Sequence, residues 1–377
     1  MGLVGLDVAR GLIDSLSISE PKRVKRSLNE YVGMVSATDV SAPSDFPPFD
    51  RSVMDGYAIN MEPGITSYKL VNGPLNPGEA AYIMTGQRVP DGCNGVIRVE
   101  HATVENGRVS WNKEARYWSD VQRKGEDIRK GDNLLHRGEI ITPYHLSALI
   151  MEGQKQVDVY DIAIGVIAIG DEIIPHESEK EGIRDSISPL ILNLMSFART
   201  SVLVIGDNSD EIYNSIKRLK NKSDMIITIG GSSVGRKDLT KESVKASGEL
   251  IFEGVNVNVL KRGGVGMIDG KPLLILPGQI VSSVVVFHEH GLHILSKMVG
   301  RELRRFESVI LSEDISVKHD MDSTYMFKLN GGFATPLRWG SGLYGELASA
   351  DAFGILKCRK EYKKGEEIVV QKLIHRP

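Results

Sequence analysis

The sequence predicts a multidomain α/β protein whose main domain is a doubly wound, mostly parallel sheet. Three observations carry that reading. Between Val157 and Gly300 short apolar runs alternate with helical stretches, and strands that alternate with helices build a parallel sheet with crossover helices. One of these runs, Met225 to Ile229, is rich in β-branched residues, with Thr228 its only polar member. Such a run suits a strand covered on both faces. It stops at Gly230-Gly231-Ser232-Ser233-Val234-Gly235, and a helix-compatible stretch resumes near Asp238. Glycines let the backbone turn sharply and approach a ligand, and a loop feeding a helix start offers free N–H groups to an anion.

A chain of 377 residues has room for about two to four domains, each with a core of its own. The hydrophobic fraction of 41% and charged fraction of 25% are ordinary for a globular chain. A net charge of -3 gives no electrostatic case for nucleic acid or an anionic membrane surface. Cys93 and Cys358 are too few and too far apart for a disulfide framework or a zinc site, so a reducing, intracellular setting is expected. Asp7 interrupts the stretch where a signal peptide needs its apolar core. The longest apolar run, Ile162 to Ile169, is too short to span a bilayer. The expected location is cytoplasmic.

Residues 5–40 read as helical, with Leu6, Ala9, Leu12, Ile13 and Leu16 on one face and a second helix after Pro21. From Ala42 to about Gly131, prolines and glycines chop the chain into short β segments at Tyr68–Val71, Ala80–Met84, Gly95–Glu100 and Arg108–Trp111. This region reads as a β domain with long loops. The loop 47–59 concentrates Asp50, Arg51, Ser52 and Asp55 beside the rigid Pro47-Pro48. It is either a functional loop on a rigid frame or a hairpin turn in which Asp55 bonds its own backbone. The loop 84–90 sets Thr85 and Arg88 beside a glycine turn, and the charge-dense loop 125–132, ending in Asp132, reads as a solvated turn. A helix follows Pro143; if it packs on the N-terminal helices, the β region is an insertion.

In a doubly wound sheet, ligands lie beyond the carboxyl ends of the strands. Three loops then share one rim: Gly170-Asp171-Glu172, Gly230–Gly235, and Pro277-Gly278-Gln279 with Ser282 close behind. Asp224 and Asp238 bracket the glycine loop, and with Asp171 and Glu172 they offer carboxylates for a metal-bridged phosphate. The other reading makes Asp224 a strand-edge turn residue and the remaining acids helix caps. The tail from Phe306 to Pro377 is β-like, with turns at Gly331-Gly332 and Lys364-Gly365-Glu366, and fits a small barrel or sandwich.

Laid out in order, several stretches resemble the molybdopterin molybdenumtransferase family, the MoeA-like and gephyrin E-domain proteins. They are PPFDRSVMDGYAI at 47–59, MTGQRVPDGCNGVIRVEH at 84–101, GEDIRKGDNLLHRGEIITP at 125–143, IGDEII at 169–174, DMIITIGGSSVGRKDLTKE at 224–242 and LPGQIVSS at 276–283. The resemblance covers essentially the whole chain. It implies four domains: a discontinuous helical domain (1–41 and 133–156), an inserted β domain (42–132), a MogA-like molybdopterin-binding α/β domain (157–303) and a C-terminal β domain (304–377). It also implies a homodimer in which the inserted domain of one subunit faces the α/β domain of the other.

The implied activity is Mg2+-dependent hydrolysis of adenylylated molybdopterin coupled to insertion of molybdate or tungstate, with no role for nucleic acid or membrane. By residue, the resemblance implies catalytic roles for Asp55, Thr85, Asp132 and Asp238. Cofactor contacts fall on Gly230, Gly231, Ser233, Gly235, Pro277, Gly278 and Ser282, and metal ligation on Asp171, Glu172, Asp224 and Asp238. Three stretches depart from the family's pattern. The usual cationic positions fall on Gly254 and Asn258, PGNP has become Pro277-Gly278-Gln279-Ile280, and DSN has become Asp185-Ser186-Ile187. An oxyanion needs positive charge or N–H donors around it, and Lys261 and Arg262 are placed to supply it from a shifted loop. The competing expectation is a non-catalytic relative that binds molybdopterin or a partner as carrier or scaffold.

Overall fold

A computed structural model describes residues 2–27, 30, 32–111, 116–231, 239–317, 320–358 and 361–374. Ser233, Gly235 and Asp238, expected in the phosphate loop, therefore lie outside the described residues. The chain divides into two compact units, one of residues 1–38, 137–143 and 156–377, the other of residues 39–136 and 144–155.

The first unit is built on a six-stranded sheet. Four strands run parallel: Arg199–Ile205, Ala163–Ile169, Met225–Gly230 and Lys271–Leu276, in that spatial order. Gly264–Ile268 and Glu249–Phe252 then extend the sheet antiparallel. Every residue of Ala163–Ile169 is buried, as is Met225 through Ile229, because helices cover both faces. Ser209–Lys220 and Leu239–Ser247 bury Ile212, Ile216, Leu219 and Val244 against one face. Ile187–Leu194 and the helix running from Ile280 to Val299 cover the other. The fold class is thus the expected one, with the sheet parallel in four of its strands.

The run from Ile280 to Val299 is not uniform. A π-helical turn, Phe287–Gly291, interrupts α-helix on either side. It buries Glu289, which Arg10 on the helix Leu6–Ser15 meets with two hydrogen bonds of 2.6 and 3.0 Å.

The segment after Pro21 corrects one expectation: it is a strand, Arg23–Ser27, antiparallel to Gln156–Tyr160. Its residues alternate between exposed and half-buried, a period-2 pattern that a polar sequence hides from a hydrophobicity reading. The tail closes into a five-stranded barrel, in the order Phe306–Leu311, Phe333–Pro336, Ser323–Asn330, Ala352–Leu356 and Glu367–Lys372. Closure leaves these strands without a free edge.

The second unit has its own six-stranded sheet, in the order Gly95–Arg98, Gly56–Ile59, Glu79–Ile83, Ser67–Leu70, Arg108–Trp111 and Ala102–Glu105. Two small cores cover its faces. One gathers Ala58, Leu75, Ile83 and Val96, the other Ile59, Tyr68, Ile97 and Val109. The helix Pro143–Met151 begins at a proline, which suits a first helical turn.

Candidate functional site

The four parallel strands end together, and their carboxyl ends form one rim. A cavity of about 330 Å³ opens there, lined by Gly170, Glu172, Gly230, Gly231, Pro277 and Gly278, with Asp207, Arg262 and Tyr344 at its sides. The three loops singled out in the sequence therefore meet at one place. The glycines are required by geometry. Gly230 has φ +85°, and a Cβ on it would stand 2.5 Å from the Ile169 carbonyl oxygen; a Cβ on Gly231, at φ +70°, would stand 2.2 Å from Thr240 Oγ1. That hydroxyl donates to the Gly230 carbonyl at 3.2 Å, fixing the start of the loop.

The acids part company. Glu172 lines the cavity. Asp171 is engaged in structure: its Oδ1 accepts from the Asp207 amide at 2.9 Å, tying two strand ends together. Asp224 contradicts the expected metal set. It precedes the strand Met225–Gly230, and its Oδ2 accepts from the Ala163 amide at 2.7 Å. It therefore sits at the amino ends of these strands. The six residues of that strand, at about 3.3 Å each, put roughly 20 Å between it and the glycine loop. Neighbours in sequence across a strand are on opposite edges of the sheet, so Asp224 is the strand-edge residue of the alternative reading. Among the described residues no group of three or more His, Cys, Asp or Glu side chains is placed to hold a metal ion.

A second cavity of about 290 Å³ adjoins the rim and shares Arg262, Pro277 and Gln279 with it; Lys261, Asn258 and Ser282 complete its wall. Two departures from the family pattern have a physical account here. A Cβ on Gly254 would meet the Lys261 carbonyl oxygen at 2.1 Å, so no side chain fits there. Asn258 is a strut, its Oδ1 accepting from the Thr324 amide at 3.0 Å. The loop is shaped so that positive charge reaches the cavities from Lys261 and Arg262.

In the second unit, Asp55 Oδ1 accepts from Thr85 twice, from the amide at 2.6 Å and from Oγ1 at 2.7 Å. The amide bond, then the hydroxyl, hold this carboxyl below the usual carboxylate range. Asp55 thus joins the two loops at 47–59 and 84–90 instead of closing a local turn. Asp132 closes one: it accepts from the Arg129 amide at 2.8 Å, three residues back.

Sequence reasoning missed Asp207 and Tyr344. Asp207 follows the strand Arg199–Ile205, so the strand-end rule that found Asp171 applies to it equally. Tyr344 enters from the segment leading into the barrel, where its hydroxyl lies 2.9 Å from Ser186 Oγ; a contact across 158 residues leaves no local signal.

The chain matches two known families in succession. Residues 6–153 match the MoeA N-terminal region (domain I and II), and residues 165–297 match a family described as a probable molybdopterin binding domain. That order defines a two-part protein of the molybdopterin-related class. A Methanocaldococcus jannaschii chain, provisionally named a molybdopterin biosynthesis protein, is 31% identical over 94% of this chain and 93% of its own length. The Haemophilus influenzae molybdopterin molybdenumtransferase is 28% identical over 73% of each chain. Crystal structures of the MoeA protein of Pyrococcus horikoshii superpose with a TM-score of 0.76 at 26–27% identity, covering 98% of this chain. The chain belongs to the MoeA family of molybdopterin molybdenumtransferases. No helix among its described residues is long and apolar enough to cross a membrane.

Proposed function

We propose that this chain is a molybdopterin molybdenumtransferase of the cytoplasm, working as a homodimer. It hydrolyses adenylylated molybdopterin and joins molybdate, or tungstate, to the dithiolene. The observation that carries the reading is the rim cavity, where the Gly230-Gly231 turn, Glu172 and Arg262 surround one space. Backbone N–H groups at the carboxyl end of a parallel sheet receive a phosphate, and Arg262 adds charge for the phosphoanhydride or the incoming oxyanion.

Mg2+ fits this donor set in one form. It needs only one or two carboxylates when substrate phosphates and waters fill its remaining positions. Glu172 and Asp207 line the cavity and meet that requirement, while Asp171 is engaged elsewhere and Asp224 lies at the far edge. Held there, the ion would supply charge neutralisation at the leaving AMP. The chain's own groups bind and orient. The glycine turn grips the pterin phosphate, Gly278 and Ser282 bound the pterin's other side, and Lys261 with Arg262 hold the oxyanion. Asp55, kept ionised by Thr85, orients water or molybdate.

The test supplies adenylylated molybdopterin, Mg2+ and molybdate, and follows AMP and metallated cofactor separately. Both products support the proposal. AMP alone makes the chain a pyrophosphatase, and retained binding with neither product makes it a carrier.

A further inference from the structure

The second unit carries two arginines that the activity above does not use. Arg51 and Arg88 are directly paired across an antiparallel bridge, so their side chains leave the same face. Like charges so placed repel one another, and neither guanidinium has a carboxylate partner among the described residues. The chain nevertheless holds both in place. Arg51 stacks over Phe46 with 4.8 Å to the ring centroid, and Arg88 over Phe49 with 4.4 Å. The two rings stand either side of the rigid Pro47-Pro48. Arg51 Nε donates to Gln122 Oε1 at 2.9 Å, which fixes the fork and leaves its two terminal nitrogens outward.

Stacking on a ring immobilises a guanidinium by its face and leaves its edge for hydrogen bonding. Two such edges on one face, held against their own repulsion, match an oxyanion that accepts from both. We propose that Arg51 and Arg88 form a binding site for a phosphate-class oxyanion, either a free tetraoxyanion or a phosphate within a phosphoanhydride. The site is separate from the sheet rim and stands whether or not the chain transfers molybdenum.

The test titrates the full-length protein with inorganic phosphate and with inorganic pyrophosphate, reading hydrogen exchange in peptides spanning 46–53 and 84–90. Protection there by either probe supports the site, and the stronger probe identifies the source. No protection in these peptides with either probe overturns it. Arg88→Gln should weaken the protecting probe about tenfold, the loss of one charge-assisted contact. Arg123→Gln removes an equal charge from a guanidinium stacked on Trp118, one residue beyond Gln122, and should leave binding unchanged. Equal losses in both variants would reduce the effect to net charge and also overturn the proposal. The exchange measurement on the unaltered chain decides the matter even if a variant fails to fold.

Discussion

At the scale of single residues, the site is held by short polar contacts whose removal has distinct outcomes. Asp55 receives both hydrogen bonds that Thr85 offers it. Asp55→Ala should abolish cofactor formation while leaving the melting temperature nearly unchanged, since the side chain is exposed. Wild-type turnover with full folding in that variant would remove Asp55 from the chemistry. Because these bonds hold the carboxyl below its usual range, its charge persists as pH falls through that range, and a pH–rate profile should show no limb from Asp55 there. Gly231→Ala is a different case. A methyl group at φ +70°, 2.2 Å from Thr240 Oγ1, should cost roughly 1–3 kcal/mol and lower phosphate affinity, read by denaturant unfolding beside ligand titration. The glycines were legible because strand, glycine turn and helix form a local pattern. Asp224 was misread because adjacency in sequence stood in for adjacency in space, across a whole strand.

At the scale of elements, the parallel strands were the easiest to read, since burial on both faces turns them into continuous apolar runs. The strands Arg23–Ser27, Glu249–Phe252 and Gly264–Ile268 were not read. The first is charged, and the others are short or glycine-broken. The helix from Ile280 to Val299 was legible as apolar, but its buried charges were not. Glu289 is 1% exposed and paired with Arg10, with Arg304 3.8 Å away. His290 is fully buried, with neither ring nitrogen bonded.

Burial, with smaller contributions from the charges of His293, Arg10 and Arg304, pushes His290 down to about 4, against the pull of Glu289. The unfolded chain protonates this ring near its ordinary value of about 6.5 and the folded chain does not. Stability from this group is therefore complete above pH 6.5 and is lost as pH falls from there through about 4, by up to about 3 kcal/mol. Urea unfolding across that range should show the decline, and His290→Leu should flatten it. An unchanged slope in the variant would assign the acid sensitivity elsewhere.

At the scale of the whole molecule, two compact units with separate cores predict two calorimetric transitions instead of one, because cooperativity follows the extent of a shared core. Ile83, 2% exposed within the second unit's core, supplies the check. Ile83→Ala should weaken that unit by about 2–5 kcal/mol, lowering one transition and sparing the other. A single transition that moves as a block would show that the units melt together.

The π turn at Phe287–Gly291 amounts to one residue in excess of an α-helical count. Deleting any one residue there would regularise the helix, yet it would swing everything after it by about 100° around the axis. Leu292, Leu295 and Val299, now facing inward, would be carried round toward water and Lys297 toward the core. The irregular turn is therefore a phase setting for the last two turns of the helix, and in this segment length itself is under constraint, whatever the composition.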